Sequence, residues 1–253
     1  MSNPTLQQAT PPAVEDDCAL FLDFDGTLVD IAERPEQVRL LPAVRESIAR
    51  ISDRLQGAVA LVSGRPLAQL DDLFAPLRLA GAGLHGHQIR SEANARAEMP
   101  DAPAEFLHAL HQRAMQLAHA HPGVLIEDKG ISLALHWRSA PAAAESVQAF
   151  ALSELPRLPG YRLQAGDHVI EFVPAGSDKG RALAQLMQRP PFQGRRPVFV
   201  GDDLTDEHGF AQAHQLGGWS VLVGNRKGSQ ARYWLANPSA VHAWLQANAR
   251  GDV

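Results

Sequence analysis

Apolar residues recur along the chain in two rhythms that take turns. The run CALFLDFD, beginning at Cys18, is apolar over the length of a strand, and the stretch from Pro42 to Gln56 then places Val44, Ile48, Ile51 and Leu55 at i, i+4, i+7 and i+11. That spacing predicts one apolar stripe along a helix, closed by Gly57. A second apolar run, GAVALVSGR, leads to Pro66 at a helix start, with Leu67, Leu70 and Phe74 at i, i+3 and i+7. The same grammar returns late in the chain. Ser177 and Asp178 are placed to cap a helix carrying Leu183, Leu186 and Met187, and RPVFVGDD and WSVLVG read as two more buried strands. Alternation of this kind predicts α/β architecture with a doubly wound, Rossmann-like parallel sheet.

Between these halves the rhythm changes. Ala102 to His121 reads as a helix with Leu107, Leu110, Ala114 and Leu117 on one side, and a second helix falls near Ala142 to Leu155. VLIEDKG, ISLALHWR, YRLQAG and HVIEFVP read as strands. In ISLALHWR, Ile131, Leu133, Leu135 and Trp137 share one face, while Ser132, Ala134, His136 and Arg138 share the other. The same period sets Glu127 and Lys129 against Val124 and Ile126, and Glu171 against Ile170 and Phe172. If the apolar faces pack on the helices, Glu127, Lys129, His136, Arg138 and Glu171 line an open polar face. The expected organisation is a core from residues 18–100 and 174–253, a smaller α+β domain at 101–173 inserted into it, and a disordered tail over 1–17.

Composition narrows the class. The 253 residues are 45% hydrophobic and 20% charged, which suits a globular chain that buries a sizeable core. A net charge of −5 argues against a broad phosphate-backbone surface, and so against nucleic acid as a partner. A single Cys18 excludes an intrachain disulfide and a thiolate zinc site. No basic-then-apolar leader opens the sequence, and no apolar run approaches the ~18 residues of a membrane span. The expectation is a cytoplasmic monomer that makes no membrane contact.

Three strand ends carry candidate chemistry. Asp23 and Asp25 stand two apart, so in extended geometry both carboxylates project to one side, and Gly26 lets the chain turn. Ligands gather at that end of open α/β sheets. A DxDG alone reads equally as a solvated acidic turn; an EF-hand is excluded, because its glycine comes later in the loop. At the second strand end Ser63, Gly64 and Arg65 offer a hydroxyl and backbone N–H groups beside a helix start, which suits a phosphate or a plain N-cap. The third, GDDLTD, crowds Asp202, Asp203 and Asp206, whose like charges raise one another's pKa unless a hard cation is present; Mg²⁺ matches oxygen-only ligands. Lys179, at a helix start, can neutralise the same phosphate. Together these groups form a phosphoryl-transfer set. Two rival patterns are weaker. GAGLHG, with Gly81, Gly83 and Gly86, matches the dinucleotide fingerprint formally, but HQIRSEANARAEMP behind it has no helical stripe. The pairs His85/His87 and His119/His121 come with no HExxH or Cys/His array.

In this order, FLDFDGTLVD, LVSGRP, SDKG and VFVGDDLTDE resemble the four signature motifs of the haloacid dehalogenase-like (HAD) phosphatases. GLHGHQIR, VLIEDKGISLALHWR and VIEFVPAGSDKG are similar to the trehalose-6-phosphate phosphatase family among them, and the likeness runs from about Leu20 to Leu245. The resemblance implies Asp23 as nucleophile and Asp25 as acid and base. It implies Mg²⁺ held by Asp23, the Asp25 carbonyl and Asp202, with Asp203 and Asp206 in support, and a phosphate gripped by Ser63, Gly64 and Lys179. It further implies that the inserted domain is a cap that closes over the core and recognises the sugar of trehalose 6-phosphate. Glu127, Lys129, Arg138 and Glu171 match the family's cap residues, and His136 joins them on the polar face; Arg65, His85 and Gly86 are expected substrate contacts on the core. The sequence departs from the family at Asp167 and His168, where a lysine is common, and at His87 and Gln88, where HGAE is common. Another sugar phosphate such as sucrose 6-phosphate, a mutase reaction, or a non-catalytic sugar-phosphate-binding role stays open at this point.

Overall fold

The computed structural model of the chain describes residues 9–32, 37–99, 104–176 and 178–251. They form two units, which part at Met99 and again at Asp178. The second boundary falls later than residue 173 because the last strand of the inserted unit continues through Pro174. The first unit begins with β1 (Cys18–Leu22), α1 (Pro42–Arg54), β2 (Val59–Val62), α2 (Leu67–Phe74), β3 (Ala80–Gly83) and β4 (Gln88–Arg90). The second comprises α3 (Ala104–Ala120), β5 (Leu125–Asp128), β6 (Leu133–His136), α4 (Ala144–Glu154), β7 (Tyr161–Gly166) and β8 (Val169–Pro174). The first unit resumes with α5 (Lys179–Met187), β9 (Arg196–Gly201), α6 (Asp206–Gln215), β10 (Trp219–Val223), β11 (Tyr233–Leu235) and α7 (Pro238–Arg250).

The seven-stranded sheet of the first unit has the order β11-β10-β9-β1-β2-β3-β4. Every pairing is parallel except β3 with β4. Because helices cover both faces of such a sheet, its strands read as continuous apolar runs, and every residue of β1, β2 and β10 is buried. The α1 stripe of Val44, Ile48 and Ile51, with Leu55 just beyond the helix end, lies in the same core. Each such side chain contributes about 1.5–3 kcal/mol of burial free energy. GAGLHG forms β3 and a single 3₁₀ turn, Leu84–Gly86, before an antiparallel strand; the helix that a dinucleotide site requires does not follow it. Asp178 caps α5 by accepting from the Arg181 N–H at 2.9 Å, while its expected companion Ser177 and the expected α3 start at Ala102 lie outside the described residues.

Residues 9–17, read from sequence as part of a disordered tail, are instead fastened to the core. Ala9 bridges Tyr233, Val14 is buried with its N–H on Oδ1 of Asn248 at 2.7 Å, and Pro12 accepts from the Trp244 indole. Arg196 binds Asp17 at 2.8 Å. These anchors are single polar contacts drawn from distant parts of the chain, so the segment needs no periodicity of its own. Among the described residues no helix is long and apolar enough to cross a membrane.

In the second unit an antiparallel sheet of order β5-β6-β8-β7 packs one face on α3 and α4. Leu110, Ala114, Val147 and Ala151 from the helices meet Leu133, Leu135 and Phe172 from the strands. The register aligns Glu127, Ala134, Glu171 and Gln164 in one row across the opposite face. That face is polar, but not open along its length: Ser132, Ala134 and Glu171 are buried. Along it Lys129 and Ser132 bond to Glu171, and His136 pairs with Glu127.

Candidate active site

Because β1 and β9 are parallel neighbours, with Leu22 opposite Val200, the residues just past both strands emerge side by side. Asp23 leaves β1 still donating its N–H to Val200, at 2.9 Å, and Asp202 leaves β9. The chain then turns around the Phe24 carbonyl, which accepts from Leu28 N–H at 2.8 Å. Gly26 takes φ +82°, and a Cβ there would lie 2.1 Å from Oδ2 of Asp202, so both conformation and space demand glycine. Thr27 Oγ1 lies 3.1 Å from Asp23 Oδ2 and 3.3 Å from Asp202 Oδ1, its one proton serving two carboxylates.

Lys179 opens α5, and its Nζ donates to Asp23 Oδ1 at 2.7 Å and to Asp206 Oδ1 at 2.6 Å. The other oxygen of Asp206 accepts the N–H groups of Asp202 and Asp203, both at 3.0 Å. Asp206 therefore organises the loop and the lysine, while Asp203 turns its carboxylate to the Leu204 amide at 2.6 Å. Carboxylate oxygens of Asp23, Asp202 and Asp206 all lie within 4.8 Å of one another. Three carboxylates against one ammonium leave two uncompensated negative charges in a buried site. The consequences follow from burial first and charge second. Burial pushes the Asp23 carboxyl well up, and Asp206 and Asp202 push it further against the pull of Lys179. Burial and the charge of Asp206 raise Asp202 to about 7. Burial alone would lower Lys179, but Asp206 and Asp23 outweigh it and hold the ammonium charged. A divalent cation brings the sum to zero, and an all-oxygen donor set is the kind that a hard cation takes. Arg226, which the sequence reading missed, braces this loop: it donates to the carbonyls of Asp202 at 3.2 Å and Asp203 at 3.3 Å and pairs with Glu207. It lies in the loop after β10, where no local pattern marks it.

At the end of β2, Ser63 is buried, donates its N–H to Ala82 at 2.9 Å, and accepts the Arg65 N–H on its hydroxyl at 3.1 Å. The loop is strapped to the end of β3 by Leu84 N–H on Arg65 O and by His85 N–H on Ser63 O, both 3.1 Å. His85 takes φ +54°, and its ring packs so closely on Gly64 that a Cβ there would fall 2.7 Å from it. Arg65, expected to contact substrate, grips the Asp25 carboxylate, Nε to Oδ2 and Nη2 to Oδ1, each at 2.7 Å. Gln88 accepts the Leu67 N–H at 2.8 Å and so satisfies an orphan donor at the start of α2. Among the described residues the one carboxylate, histidine and cysteine group able to hold a metal is the aspartate cluster; neither HxH pair belongs to it.

On the polar face of the second unit, Glu171 accepts from Lys129 at 2.9 Å and from Ser132 at 2.6 Å, while His136 pairs with Glu127 at 3.0 Å. Burial alone would raise Glu127, but the His136 hydrogen bond and the Lys129 charge hold it below its ordinary value. Arg138 stands apart, held by Asp167 Oδ2 at 2.8 Å and by the Asp167 carbonyl at 3.0 Å. His168 joins the same carboxylate at 2.7 Å. Arg162 and Gln164 lie on this face through their register with Val173 and Glu171, which the period of two in YRLQAG already signals.

The chain as a whole is similar to known proteins. The family model described as trehalose-phosphatase matches residues 21–239. The chain is 38% identical over 228 residues to the trehalose-6-phosphate phosphatase of Escherichia coli (strain K12), covering 90% of this chain and 85% of that one. The C-terminal domain of C. albicans trehalose-6-phosphate phosphatase shares the fold with a TM-score of 0.81, at 21% identity and 93% coverage of both chains. A trehalose-6-phosphate phosphatase related protein shares it with a TM-score of 0.73, at 21% identity, covering 92% of this chain and 98% of the other.

Proposed function

The chain belongs to the trehalose-phosphatase family, and from that membership and the aspartate–lysine cluster we propose that it hydrolyses trehalose 6-phosphate to trehalose and phosphate. The observation that carries the reading is Lys179 held between Asp23 and Asp206 where β1 and β9 end.

Asp23 is the nucleophile. Its carboxylate oxygen forms a bond to phosphorus as the bond to the sugar oxygen breaks, giving an aspartyl-phosphate on the chain. Asp25 protonates the departing oxygen, then takes the proton from the water that hydrolyses the aspartyl-phosphate. Lys179 and the Ser63 hydroxyl hold the transferred phosphoryl group, and Gly64 lets its backbone approach. Asp206 orients Lys179 and braces the loop that carries Asp202. Mg²⁺ fits the carboxylates of Asp23 and Asp202 with the Asp25 carbonyl, and when bound it supplies neutralisation of the phosphoryl oxygens. These charges are set in place before reaction, which is how a site lowers the barrier of so slow a hydrolysis. On the second unit, Glu127, Lys129, His136 and Glu171 present alternating acceptors and donors suited to sugar hydroxyls. His85 and Gly86 are further substrate contacts on the first unit, and Arg138 borders the sugar-binding face.

Phosphate release from trehalose 6-phosphate, glucose 6-phosphate and sucrose 6-phosphate, with Mg²⁺ and then with EDTA, tests this. A metal-dependent preference for trehalose 6-phosphate is expected. Metal-dependent turnover without that preference removes the substrate assignment, and binding without phosphate release removes catalysis.

A further inference from the structure

We propose that Arg65 is a positioning residue for Asp25 and that it joins the acid–base group to the phosphate-gripping loop. The proposal rests on the acid–base role given to Asp25 above. The pair is bidentate, with both carboxylate oxygens bonded to separate guanidinium nitrogens at 2.7 Å. A planar fork fixes the plane of a carboxylate as well as its place, which a point donor cannot do. Of the two partners Arg65 is the rigid one. It is 8% exposed, and its guanidinium lies over the Phe24 ring at 5.4 Å. Phe24 is itself fully buried, with its ring 5.9 Å from that of Phe74. The main chain of Arg65 is tied at both ends, N–H to Ser63 Oγ and carbonyl to Leu84 N–H, each at 3.1 Å. The Asp25 side chain, by contrast, is 36% exposed and would otherwise sample several rotamers. One residue thus sets both the Ser63 hydroxyl and the Asp25 carboxylate. Each carboxylate oxygen keeps a second lone pair, so the pairing leaves Asp25 able to carry and transfer a proton.

Proton delivery matters in proportion to how poor the leaving group is. A sugar alkoxide needs it; a nitrophenolate departs without it. Because kcat/KM reports on steps through leaving-group departure, comparing trehalose 6-phosphate with nitrophenyl phosphate isolates this function from the later hydrolysis. Arg65→Met is expected to lower kcat/KM for the sugar phosphate by about a hundredfold, within the ~10²–10⁴ that a positioned acid supplies, and for the aryl phosphate by less than about tenfold. Arg65→Lys should restore only part of the loss, and it carries the test if the Met variant does not fold. Arg65→Met combined with Asp25→Asn should be no slower than Asp25→Asn alone. Equal losses on both substrates, a rise confined to KM, additive losses in the double variant, or faster turnover would each overturn the proposal. If Asp25→Asn shows no bias between the substrates, the acid–base reading itself falls and takes the proposal with it. A bias in Asp25→Asn that Arg65→Met lacks removes Arg65 alone.

Discussion

Lys179 donates to Asp206 at 2.6 Å, across the gap between the start of α5 and the start of α6, and neither side chain is more than 4% exposed. A buried ion pair of this kind is costly to break from one side, by about 3–5 kcal/mol, because the remaining charge is stranded. Lys179→Met is therefore expected to lower the melting temperature of the metal-free protein. Mg²⁺ should restore part of that stability by replacing the lost positive charge, yet phosphate release should stay at least ~10³-fold down, because the phosphoryl group loses a partner. Melting curves and turnover of the same variant, with and without Mg²⁺, check both halves; recovered turnover would remove Lys179 from phosphate binding.

Asp202 gives the pH dependence its sign. Its carboxyl sits at about 7 in the folded, metal-free chain against an ordinary value of 3.8. Between those values the folded state holds a proton that the unfolded chain has released. Stability therefore falls as pH rises through this window. With EDTA the melting temperature should drop between pH 5 and pH 8 on this account, and the stabilisation added by Mg²⁺ should grow over the same interval as protons stop competing for the site. A metal-free melting temperature that climbs steadily with pH would contradict the assignment of Asp202 to the crowded cluster.

Asp23→Asn keeps the shape of the side chain and removes one of three crowded negative charges. The variant should melt no lower than the parent without metal, and release phosphate at less than ~10⁻⁴ of its rate. Appreciable residual turnover excludes Asp23 as the nucleophile.

Gly26→Ala tests the close approach of two loops. The new methyl group would stand 2.1 Å from Oδ2 of Asp202, at a φ of +82° that costs a non-glycine residue about 1–2 kcal/mol. Asp202 has to move, so the Mg²⁺ concentration for half-maximal activity is expected to rise at least tenfold, while the KM for substrate at saturating metal changes little. An unchanged metal requirement would show that Asp202 does not bind the ion.

Glu171→Ala removes the acceptor shared by Lys129 and Ser132. Turnover of trehalose 6-phosphate should fall at least ~10-fold more than turnover of nitrophenyl phosphate, since only the former presents sugar hydroxyls. Arg138→Ala should discriminate less, because Asp167 holds that guanidinium at the end of β6. Equal losses on both substrates would take Glu171 out of sugar recognition.

The parts of the fold legible in the sequence are those that write a period. The α1 stripe, the continuous apolar runs of β1, β2 and β10, and the alternation in ISLALHWR all follow from which faces are covered. The short strands β4 and β11 escaped, since three residues carry too little pattern to read. So did α6 and α7, which open on the acidic DDLTD stretch and on an asparagine cap, Asn237 to Ala240 N–H at 3.0 Å. At the site, Asp23 is legible because it follows the apolar run of β1, Lys179 because it opens α5, and Asp206 because GDDLTD follows the apolar run of β9. Arg65 lies beside the start of α2, as the SGRP run predicts, but no local pattern points to Asp25 as its partner. Which of two charges a guanidinium meets depends on strands β1 and β2 lying side by side, and no local spacing encodes that. Arg226 and the anchored residues 9–17 were hidden for the same reason.

The neighbours of β1 have a bearing on how the chain is made. One side of β1 pairs with β2, whose residues follow soon after it, but the other pairs with β9, at Arg196–Gly201. A ribosome adding ~5–20 residues per second needs roughly 10–40 s to pass from one to the other. Throughout that interval the nascent chain carries Asp23 on a strand with one unzipped edge, while the inserted unit draws its sheet and its apolar core wholly from its own residues. Assembly of the aspartate cluster is thereby deferred until most of the polypeptide has emerged, and a chain stalled before β9 exposes a sticky apolar ribbon for quality control to find.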